Sequence, residues 1–257
     1  MAFNIEKFEE LTKNCPVEIE CLFFDEIDST NNFAKRRDVS CDGKMKVIVA
    51  SSQSSGRGRL GKKFVSQKGK GIYFSVVTDL AESSKLPTLT VSAAVCVCRA
   101  MEKQIGKCLS FKWVNDIFLY GKKICGILTE NVINPDTGAI EKTIIGIGAD
   151  LYGTIDGSIK DVASTVEALT GKTVSCEELV FDTVVGLYEF LTKDDVSSYV
   201  EEYKRRCLTL KKRIIVNDYL QKYEAYALDI DEQCRLLIER NGKILALNSG
   251  EVSVLPL

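Results

Sequence analysis

The chain has 257 residues, of which 45% are hydrophobic and 27% are charged, and its formal net charge at pH 7 is -2. This length and composition are typical of one large globular domain, alone or with a small appendage. The sequence contains no histidine, which excludes Ser-His-Asp catalysis, His-ligated zinc and an imidazole general base. Any catalysis is therefore expected to use lysines, arginines, carboxylates, hydroxyls and backbone dipoles.

Three further features indicate the cellular compartment. The ten cysteines are scattered without a C-x-x-C pair, which predicts reduced thiols. No apolar run approaches the ~20 residues that span a bilayer. The first residues carry acidic charge where a signal peptide has a basic start. We therefore expect a cytoplasmic protein with no membrane partner.

The hydrophobic pattern predicts helices and strands in alternation along most of the chain. Helical patterns are found at residues 4–13, from 29 onward, at 87–106 and within 158–207. Short apolar and β-branched runs predict strands at residues 20–26, 46–51, 71–77, 109–113, 117–120, 124–133 and 142–147. The polar, glycine-rich run 52–71 predicts a long loop, which in a compact domain is usually functional.

The character of the chain changes near its C-terminus. Short strands are predicted at residues 213–216, 223–230, 234–240, 244–247 and 252–255. Asn241-Gly242 is a strong hairpin signal between two of these strands. We therefore predict two domains, a catalytic domain over residues 1–208 and a small β domain over residues 209–257.

A local concentration of positive charge predicts an anion site. The segment from Lys44 to Thr78 contains eight Lys and Arg residues and no Asp or Glu, although the whole chain is nearly neutral. The small net charge argues against bulk nucleic-acid binding. The basic segment is therefore expected to serve a small anion rather than nucleic acid.

Within this segment, the run from Gly56 to Lys62 (GRGRLGK) meets most of the P-loop pattern G-x-x-x-x-G-K-[ST]. We reject a P-loop because Lys63 replaces the hydroxyl residue and no helix is predicted to follow. Glycine-rich backbone and the guanidinium groups of Arg57 and Arg59 can still hold phosphate or carboxylate oxygens. A solvated surface loop is the alternative, but the unbalanced cations between buried strands favour a lid over an anion.

Two further segments carry candidate site residues. Lys112-Trp-Val-Asn-Asp116 lies between two predicted strands, and Lys123 follows the next turn. They could bind phosphate, metal or ribose, but ordinary turn residues explain them equally well. The glycines of the run from Ile144 to Asp150 (IIGIGAD) could allow close ligand approach, or mark a bulge or tight packing.

Taken in order, four segments resemble the signatures of the biotin protein ligase family. They are Asp28-Ser-Thr-Asn31, Gln53-Ser-Ser-Gly-Arg-Gly-Arg-Leu-Gly61, Lys112-Trp-Val-Asn-Asp116 and Lys123-Ile-Cys-Gly-Ile-Leu128. The resemblance runs from about Glu18 to the C-terminus. It implies an α+β fold in which helices pack on a mixed, largely antiparallel sheet, as in class II synthetases and biotin and lipoate ligases. It also implies a small C-terminal SH3-like β-barrel.

The resemblance implies a biotin–[biotin carboxyl-carrier protein] ligase that uses ATP, Mg²⁺ and biotin. Biotin would be activated as biotinyl-5′-AMP and transferred to a lysine of a biotin carboxyl carrier domain of a carboxylase. Some family members carry an N-terminal DNA-binding domain. Here the D-S-T-N signature begins at residue 28, so we expect a monofunctional enzyme without a nucleic-acid partner. A homodimer is left open.

The resemblance also implies roles for individual residues. Lys123, Arg59 and Lys112 are expected to supply catalytic charge. Biotin and biotinyl-AMP are expected to contact Ser29, Thr30, Asn31, Gln53, Gly56, Arg57, Gly58, Arg59, Lys123, Gly126, Gly146 and Gly148. ATP is expected to contact Arg57, Arg59, Lys62, Lys112, Asn115 and Asp116. No fixed protein metal site is expected, although Asp116 is a candidate to face the Mg²⁺ bound to ATP.

The chain departs from the family pattern at several positions. Phe64 replaces the usual Trp after the arginine loop, Val114 replaces Pro, and Leu255 lies near a frequent Arg. Asp150 stands where Asn is more frequent, which places an extra carboxylate near an anionic intermediate.

Two alternatives to a biotin ligase remain at this stage. A lipoate– or octanoate–protein ligase would share the fold, but the polar residues Ser29, Thr30 and Gln53 suit the ureido ring of biotin better than a dithiolane. A catalytically silent adapter would not need the cations of the loop and of the two lysine motifs, which are all present.

Overall fold

The computed structural model describes residues 3–36, 38–79, 82–155, 159–193, 196–218, 221–248 and 253–256. Its α-helices are α1 (Ile5–Thr12), α2 (Thr30–Ala34), α3 (Leu89–Ile105), α4 (Val166–Thr170), α5 (Cys176–Thr192) and α6 (Val196–Arg205). Its strands are β1 (Ile19–Phe24), β2 (Met45–Ala50), β3 (Gly71–Thr78), β4 (Ser110–Lys112), β5 (Asp116–Leu119), β6 (Lys122–Ile133), β7 (Ile140–Asp150), β8 (Lys212–Asn217), β9 (Lys222–Ile230), β10 (Leu236–Arg240), β11 (Lys243–Leu247) and β12 (Ser253–Pro256).

Seven strands form one large mixed sheet, in the order β1-β2-β3-β7-β6-β5-β4. The edge pair β1 and β2 is parallel. The other neighbouring pairs run antiparallel. This arrangement confirms the predicted α+β class with a largely antiparallel sheet.

The two faces of this sheet carry different layers. On one face, Val47, Val76 and Ile145 join a large apolar core with the long helices α3 and α5. On the other face, the short helix α2 packs on β2, β3 and β7, around a small cluster that includes Ile48 and Ile144. Successive strand residues point to opposite faces, so the α2 face also receives the glycines that follow Ile144 in β7. Those glycines leave a trough beside α2.

The C-terminal strands form a separate five-stranded antiparallel sheet, in the order β11-β10-β9-β8-β12. The predicted hairpin turn is confirmed, since Asn241 and Gly242 both have positive φ angles, of 52° and 73°. The C-terminal part contacts the region of the large sheet through Trp113, whose indole Nε1 donates a 3.0 Å hydrogen bond to the carbonyl of Cys234. The division into domains at residues 208 and 209 stays a prediction.

Two sequence predictions need correction. β7 continues through Gly148 to Asp150, because its last residues pair with Gly71 and Ile72 of β3. The helical pattern predicted from residue 158 begins only with α4, where Thr165 caps the helix by accepting from the backbone N–H of Ala168. Ser158 and Val252, which the predictions included, lie outside the described residues. Within the described ranges, no helix is both long and apolar enough to span a membrane.

Candidate active site

A pocket lies on the α2 face of the large sheet, where the loop between β2 and β3 crosses the trough. All the predicted site residues except one line this pocket: Ser29, Thr30, Asn31, Gln53, Arg57, Gly58, Arg59, Lys62, Lys112, Asn115, Asp116, Lys123, Gly126, Gly146 and Gly148. Residues from five separate stretches of sequence therefore converge on one cavity.

Gly56 is the predicted residue that does not line the pocket. A Cβ atom there would lie 2.4 Å from the carbonyl oxygen of Phe64 and 2.6 Å from Ser66 Oγ. The backbone N–H of Phe64 also donates to the Gly56 carbonyl at 2.9 Å. Gly56 thus lets the loop close on itself, and its predicted contact with a ligand stays a prediction.

A hydrogen-bonded polar wall forms one side of the pocket at the start of α2. The backbone N–H of Thr30 donates to Gln53 Oε1 at 2.9 Å, and Gln53 Nε2 donates to Ser66 Oγ at 2.8 Å. Ser75 Oγ lies 2.7 Å from the Thr30 hydroxyl. Because these side chains hold one another, the wall presents its polar atoms in a fixed arrangement.

Asn31 is fixed between the wall and the trough. Its amide nitrogen donates to Glu130 Oε2 at 2.9 Å, and its carbonyl oxygen accepts from Ser75 Oγ at 2.6 Å. A Cβ atom on Gly146 would lie 2.1 Å from that same oxygen, so a glycine is required beneath Asn31. Sequence reasoning missed Ser75 and Glu130; the signal for Ser75 is a small polar residue in the middle of an apolar strand.

Phe64 forms the cover of the trough. A Cβ atom on Gly148 would lie 2.5 Å from the Phe64 ring, and one on Gly126 would lie 2.9 Å from it. The ammonium nitrogen of Lys123 is 5.5 Å from the centre of this ring. The two glycines therefore provide a flat floor on which an aromatic ring lies.

Lysine charge gathers around one carboxylate at the open side of the floor. Lys123 Nζ lies 2.6 Å from Asp116 Oδ1. Lys112 is nearby: burial lowers its pKa, the charge of Asp116 opposes this, and the positive charges of Lys123 and Lys62 lower the pKa further. Three cations thus crowd one anion, which favours the entry of a further anion.

Arg59 brings the loop into this charge cluster. Its guanidinium donates to Asn115 Oδ1 at 3.0 Å, and Asn115 Nδ2 donates to the carbonyl of Ile127 at 3.0 Å. Burial lowers the pKa of Arg59, while the negative charge of Asp116 raises it. A guanidinium stays protonated at neutral pH, so Arg59 is a partly buried positive charge that faces the pocket.

Arg57 anchors the loop on the opposite side. It donates to Asn32 Oδ1 at 3.0 Å and lies 3.4 Å from Glu130 Oε1. Burial acts to raise the pKa of Glu130, but hydrogen bonds from Lys35 and Asn31 hold it below its ordinary value. Glu130 is therefore an ionised anchor at the edge of the pocket.

The eight cations of the basic segment do not act together. Away from the pocket, three of them pair with acidic residues outside the segment: Lys44 with Glu18, Lys46 with Glu20, and Lys68 with Asp25. Four line the pocket: Arg57, Arg59, Lys62 and Lys63. The part of this segment that lines the pocket is thus its central part, joined there by lysines of β4 and β6. That the pocket binds an anion stays a prediction.

Oxygen donors for a resident metal are sparse here. In the part of the chain that the structure describes, no three His, Cys, Asp or Glu side chains are grouped to hold a metal ion. Asp116, the candidate to face Mg²⁺, is instead in contact with Lys123. What the pocket offers is cationic charge beside a polar wall and a glycine floor.

Comparison with known proteins adds two matching family models. Residues 23–150 match the Biotin/lipoate A/B protein ligase family. Residues 209–255 match the Biotin protein ligase C terminal domain. Between them, the two models cover the large sheet from the end of β1 onward and nearly all of the C-terminal sheet.

Individual relatives agree with these matches. The Bifunctional ligase/repressor BirA of Bacillus subtilis (strain 168) is 29% identical over 221 residues, which cover 81% of this chain and 66% of that protein. The Biotin--[acetyl-CoA-carboxylase] ligase of Paracoccus denitrificans is 30% identical over 159 residues, 60% of this chain and 65% of that protein. This chain thus spans about two thirds of the length of each relative.

A solved structure of the same architecture contains two small molecules. The biotin protein ligase from Aquifex aeolicus, in complex with biotin and ATP, superimposes with a TM-score of 0.80 and 28% sequence identity. The superposition covers 93% of this chain and 99% of that chain.

Proposed function

This chain belongs to the biotin/lipoate A/B protein ligase family, and we propose that it is an ATP-dependent biotin protein ligase. It activates biotin as biotinyl-5′-AMP and transfers the biotinyl group to a lysine of a biotin carboxyl carrier domain. One observation carries the proposal: Arg59, Lys112 and Lys123 gather at the open side of a glycine floor that is bordered by a fixed polar wall. The matched C-terminal domain and the ligase that binds biotin and ATP support it.

The polar wall and the floor suit biotin. The ureido ring offers two N–H donors and one carbonyl acceptor, and the hydroxyls and amides of Ser29, Thr30 and Gln53 can pair with both kinds of group. The floor at Gly126 and Gly148 has no side chain, and the Phe64 ring lies directly against it. A flat ligand can take the place of this ring against the backbone when the loop carries Phe64 away.

The first chemical step needs charge more than proton transfer. A biotin carboxylate oxygen attacks the α-phosphorus of ATP, a new P–O bond forms, and the bond to pyrophosphate breaks. The carboxylate is already ionised at neutral pH, so no general base is needed, in agreement with a chain that lacks histidine. A Lys or Arg about 4 Å from a phosphoryl oxygen contributes roughly 4 kcal/mol at an effective dielectric constant near 20.

In this step, Lys123 is placed to hold the carboxylate against the phosphorus. Asp116 fixes its ammonium at 2.6 Å and so orients it before the substrates arrive. Lys112 and Arg59 neutralise charge on the phosphate oxygens. Mg²⁺ enters with ATP as part of that substrate.

In the second step, the neutral amine of the carrier lysine attacks the acyl carbon of biotinyl-5′-AMP, and its nitrogen gives up one proton to water as the amide forms. The bond to the phosphate oxygen breaks, and AMP leaves with the charge that Lys123 and Lys112 stabilise. Until the carrier arrives, the loop holds the reactive intermediate through Arg59, whose guanidinium is anchored to Asn115. This hold keeps the mixed anhydride from reacting with water or with unrelated lysines.

Transfer to a purified carrier domain tests the proposal. The protein, biotin, ATP and Mg²⁺ are mixed with a biotin carboxyl carrier domain, and the carrier is weighed by mass spectrometry. We expect one biotinyl group on one lysine, and none when that lysine is replaced by arginine. Modification by lipoyl or octanoyl groups in place of biotin would move the chain to lipoate ligation, and an unchanged carrier with every acid would refute ligase activity.

A further inference from the structure

A stretch of chain outside the sequence motifs runs along the outer edge of β4, the strand that carries Lys112. The backbone N–H of Phe111 donates to the carbonyl of Arg206 at 3.1 Å, and the backbone N–H of Leu208 donates to the carbonyl of Phe111 at 2.7 Å. These two bonds add a short parallel stretch beyond β4, the last strand of the large sheet. We call residues 206–209 the support segment.

Thr209 ends the support segment with a buried hydrogen bond. Its hydroxyl oxygen accepts from the backbone N–H of Trp113 at 3.0 Å, and Thr209 is only 4% exposed. A buried backbone N–H without a partner is rare and costly, so this hydroxyl determines where the Trp113 backbone can lie. Lys112 therefore stands between two residues, Phe111 and Trp113, that are both hydrogen-bonded to the support segment.

The indole ring of Trp113 provides a second hydrogen bond to the C-terminal part of the chain. Its Nε1 donates to the carbonyl of Cys234 at 3.0 Å, in the turn between β9 and β10. Trp113 is buried, yet it lines the pocket next to Lys112. Backbone and side chain of one pocket residue are thus held by two different parts of the C-terminal region.

The support segment is itself fixed by α6 and by the approach to β4. Arg206 Nε donates to the carbonyl of Leu109 at 3.0 Å, and its Nη1 donates to Glu202 Oε1 at 2.7 Å. The rings of Phe111 and Tyr203 stack with their centres 4.4 Å apart. Because Glu202 and Tyr203 both belong to α6, this helix holds the support segment against the edge strand.

We propose that Thr209 is a positioning residue that acts on Lys112 through Trp113. On its other side, Lys112 pairs with Asp116 of β5, so the bonds to Thr209 and Cys234 complete a frame around the lysine. This inference rests on the proposed function, in which Lys112 neutralises charge on the phosphate oxygens of ATP. The frame matters because a misplacement of about 1 Å can lower a rate about a hundredfold.

Three variants distinguish the positioning role from a general loss of stability. Thr209→Val keeps the shape of the side chain and removes the hydroxyl, whereas Thr209→Ser keeps the hydroxyl. Thr170→Val is the matched control, because the Thr170 hydroxyl also accepts from a backbone N–H, that of Lys172 at 3.1 Å, and does not line the pocket. Thermal unfolding gives the stability of each variant.

Biotin-dependent exchange of pyrophosphate into ATP gives the rates, and calorimetry gives the affinity for biotin alone. In Thr209→Val, we expect kcat/KM for ATP to fall about ten to a hundred times, while the dissociation constant for biotin changes by less than about twofold. Thr209→Ser and Thr170→Val should behave like the wild type. An unchanged kcat/KM in Thr209→Val, an equal loss in either other variant, or an equal loss of biotin affinity would overturn the positioning role.

If Thr209→Val is too unstable to assay, Trp113→Phe makes the test at the other bond. It keeps an aromatic ring and removes the indole N–H that donates to Cys234. We expect kcat/KM for ATP to fall while the affinity for biotin is kept. An unchanged kcat/KM for ATP would show that Lys112 does not depend on this frame.

A further measurement needs no ligand. Trp113 is the single tryptophan of the chain, so the tryptophan fluorescence of the protein reports this residue alone. In folded Thr209→Val, we expect the emission to move to longer wavelength, because the freed backbone lets the buried indole meet water; Thr209→Ser and Thr170→Val should keep the wild-type emission. Unchanged emission in Thr209→Val would overturn the role of the hydroxyl. Failure of the wild type to exchange pyrophosphate with biotin would count against the proposed function alone.

Discussion

The ammonium nitrogen of Lys123 lies 2.6 Å from a carboxylate oxygen of Asp116. The two residues lie on neighbouring antiparallel strands, β5 and β6, where Asp116 pairs with Gly126 and Lys123 with Phe118 on either side of a register shift. The sequence separates them by a turn, and the strand pairing brings them together at the edge of the pocket. The ion pair gives the proposed catalytic lysine a fixed position.

Loss of this lysine should be severe for catalysis. In Lys123→Met, we expect biotin-dependent adenylate formation to fall by about a hundredfold or more, the usual effect of removing one charge-stabilising group. Asp116 would lose its partner in a site that is still partly exposed, so the free energy of unfolding should fall by only about 1 kcal/mol. Single-turnover kinetics and thermal unfolding measure the two effects.

The neighbouring Lys122 offers a matched control. Its ammonium donates to the backbone carbonyls of Lys160 and Asp161, outside the pocket. Lys122→Met makes the same chemical change one residue away and should keep nearly full activity. Equal losses in the two variants would show that Lys123 has no special role.

Gly146 should not tolerate a side chain. The added Cβ of Gly146→Ala would meet Asn31 Oδ1 at 2.1 Å and push Asn31 away from Ser75 and Glu130. We expect the free energy of unfolding to fall by about 1–3 kcal/mol, as for other overpacked sites, and biotin binding to weaken. Denaturant unfolding and calorimetry measure these changes.

Gly186→Ala distinguishes a general loss of stability from a specific loss of biotin binding. Its Cβ would lie 3.2 Å from Cys96 Sγ, a tight contact in the helical layer on the opposite face of the sheet from α2. This variant should bind biotin as the wild type does. Wild-type affinity in Gly146→Ala as well would refute the placement of Asn31 in the biotin pocket.

Arg59 should retain the activated intermediate. Its hydrogen bond to Asn115 holds the loop over the pocket, and a charged hydrogen bond is worth about 1.5–3 kcal/mol. In Arg59→Gly, we therefore expect biotinyl-5′-AMP to dissociate about ten to a hundred times faster. Labelling of lysines on a bystander protein, detected with streptavidin, should rise accordingly.

Lys68→Gly is the control within the same loop. Lys68 pairs with Asp25 at 3.0 Å on the exposed surface and does not line the pocket. Bystander labelling by this variant should match that of the wild type. If Arg59→Gly is as selective for the carrier lysine as the wild type, the loop does not retain the intermediate.

Asp150 should make stability depend on pH. Because burial raises its pKa to about 7, the folded protein binds a proton that the unfolded chain releases near pH 4. Stability due to this group is therefore lost as the pH rises from about 4 to about 7, and is constant above. Relative to that of the wild type, the free energy of unfolding of Asp150→Asn should rise by on the order of 3 to 4 kcal/mol between pH 4 and pH 8.

Urea unfolding of both proteins at several pH values measures this gain. Parallel pH profiles for the wild type and Asp150→Asn would show that Asp150 has an ordinary pKa in the folded protein. A profile that rises with pH in the wild type alone would indicate a carboxylate stabilised in its ionised form, the reverse of the expected sign.

The local pattern of the sequence predicts most of the strands and helices, because their apolar residues recur with clear periods. The local pattern predicts the wrong boundary of an element where pairing with a distant strand determines that boundary. Gly148 is a typical strand terminator, yet β7 continues to Asp150 because β3 supplies partners for its backbone. The turns after residue 158 share apolar composition with a helix, but Ala163 forms a bridge with Lys123 instead.

For the candidate site, too, the sequence predicts some features and not others. Its motifs locate the residues that line the pocket, since charged and glycine-rich signals are visible in one dimension. The contacts between motifs are not visible there: Arg59 with Asn115, and Phe64 over Gly148, join residues that lie far apart in the chain. Glu130 could not be predicted either, because its role comes from the residues of α2 and the loop that surround it.

The exchange of labelled pyrophosphate into ATP tests the central claim most directly, because it requires the acid to be activated as an adenylate. The purified protein is given ATP, Mg²⁺ and pyrophosphate with biotin, with lipoate, with octanoate or with no acid. We predict exchange with biotin alone, and its loss in Lys123→Met but not in Lys122→Met. Exchange that requires lipoate or octanoate, or no exchange with any acid, would contradict the assignment as a biotin ligase.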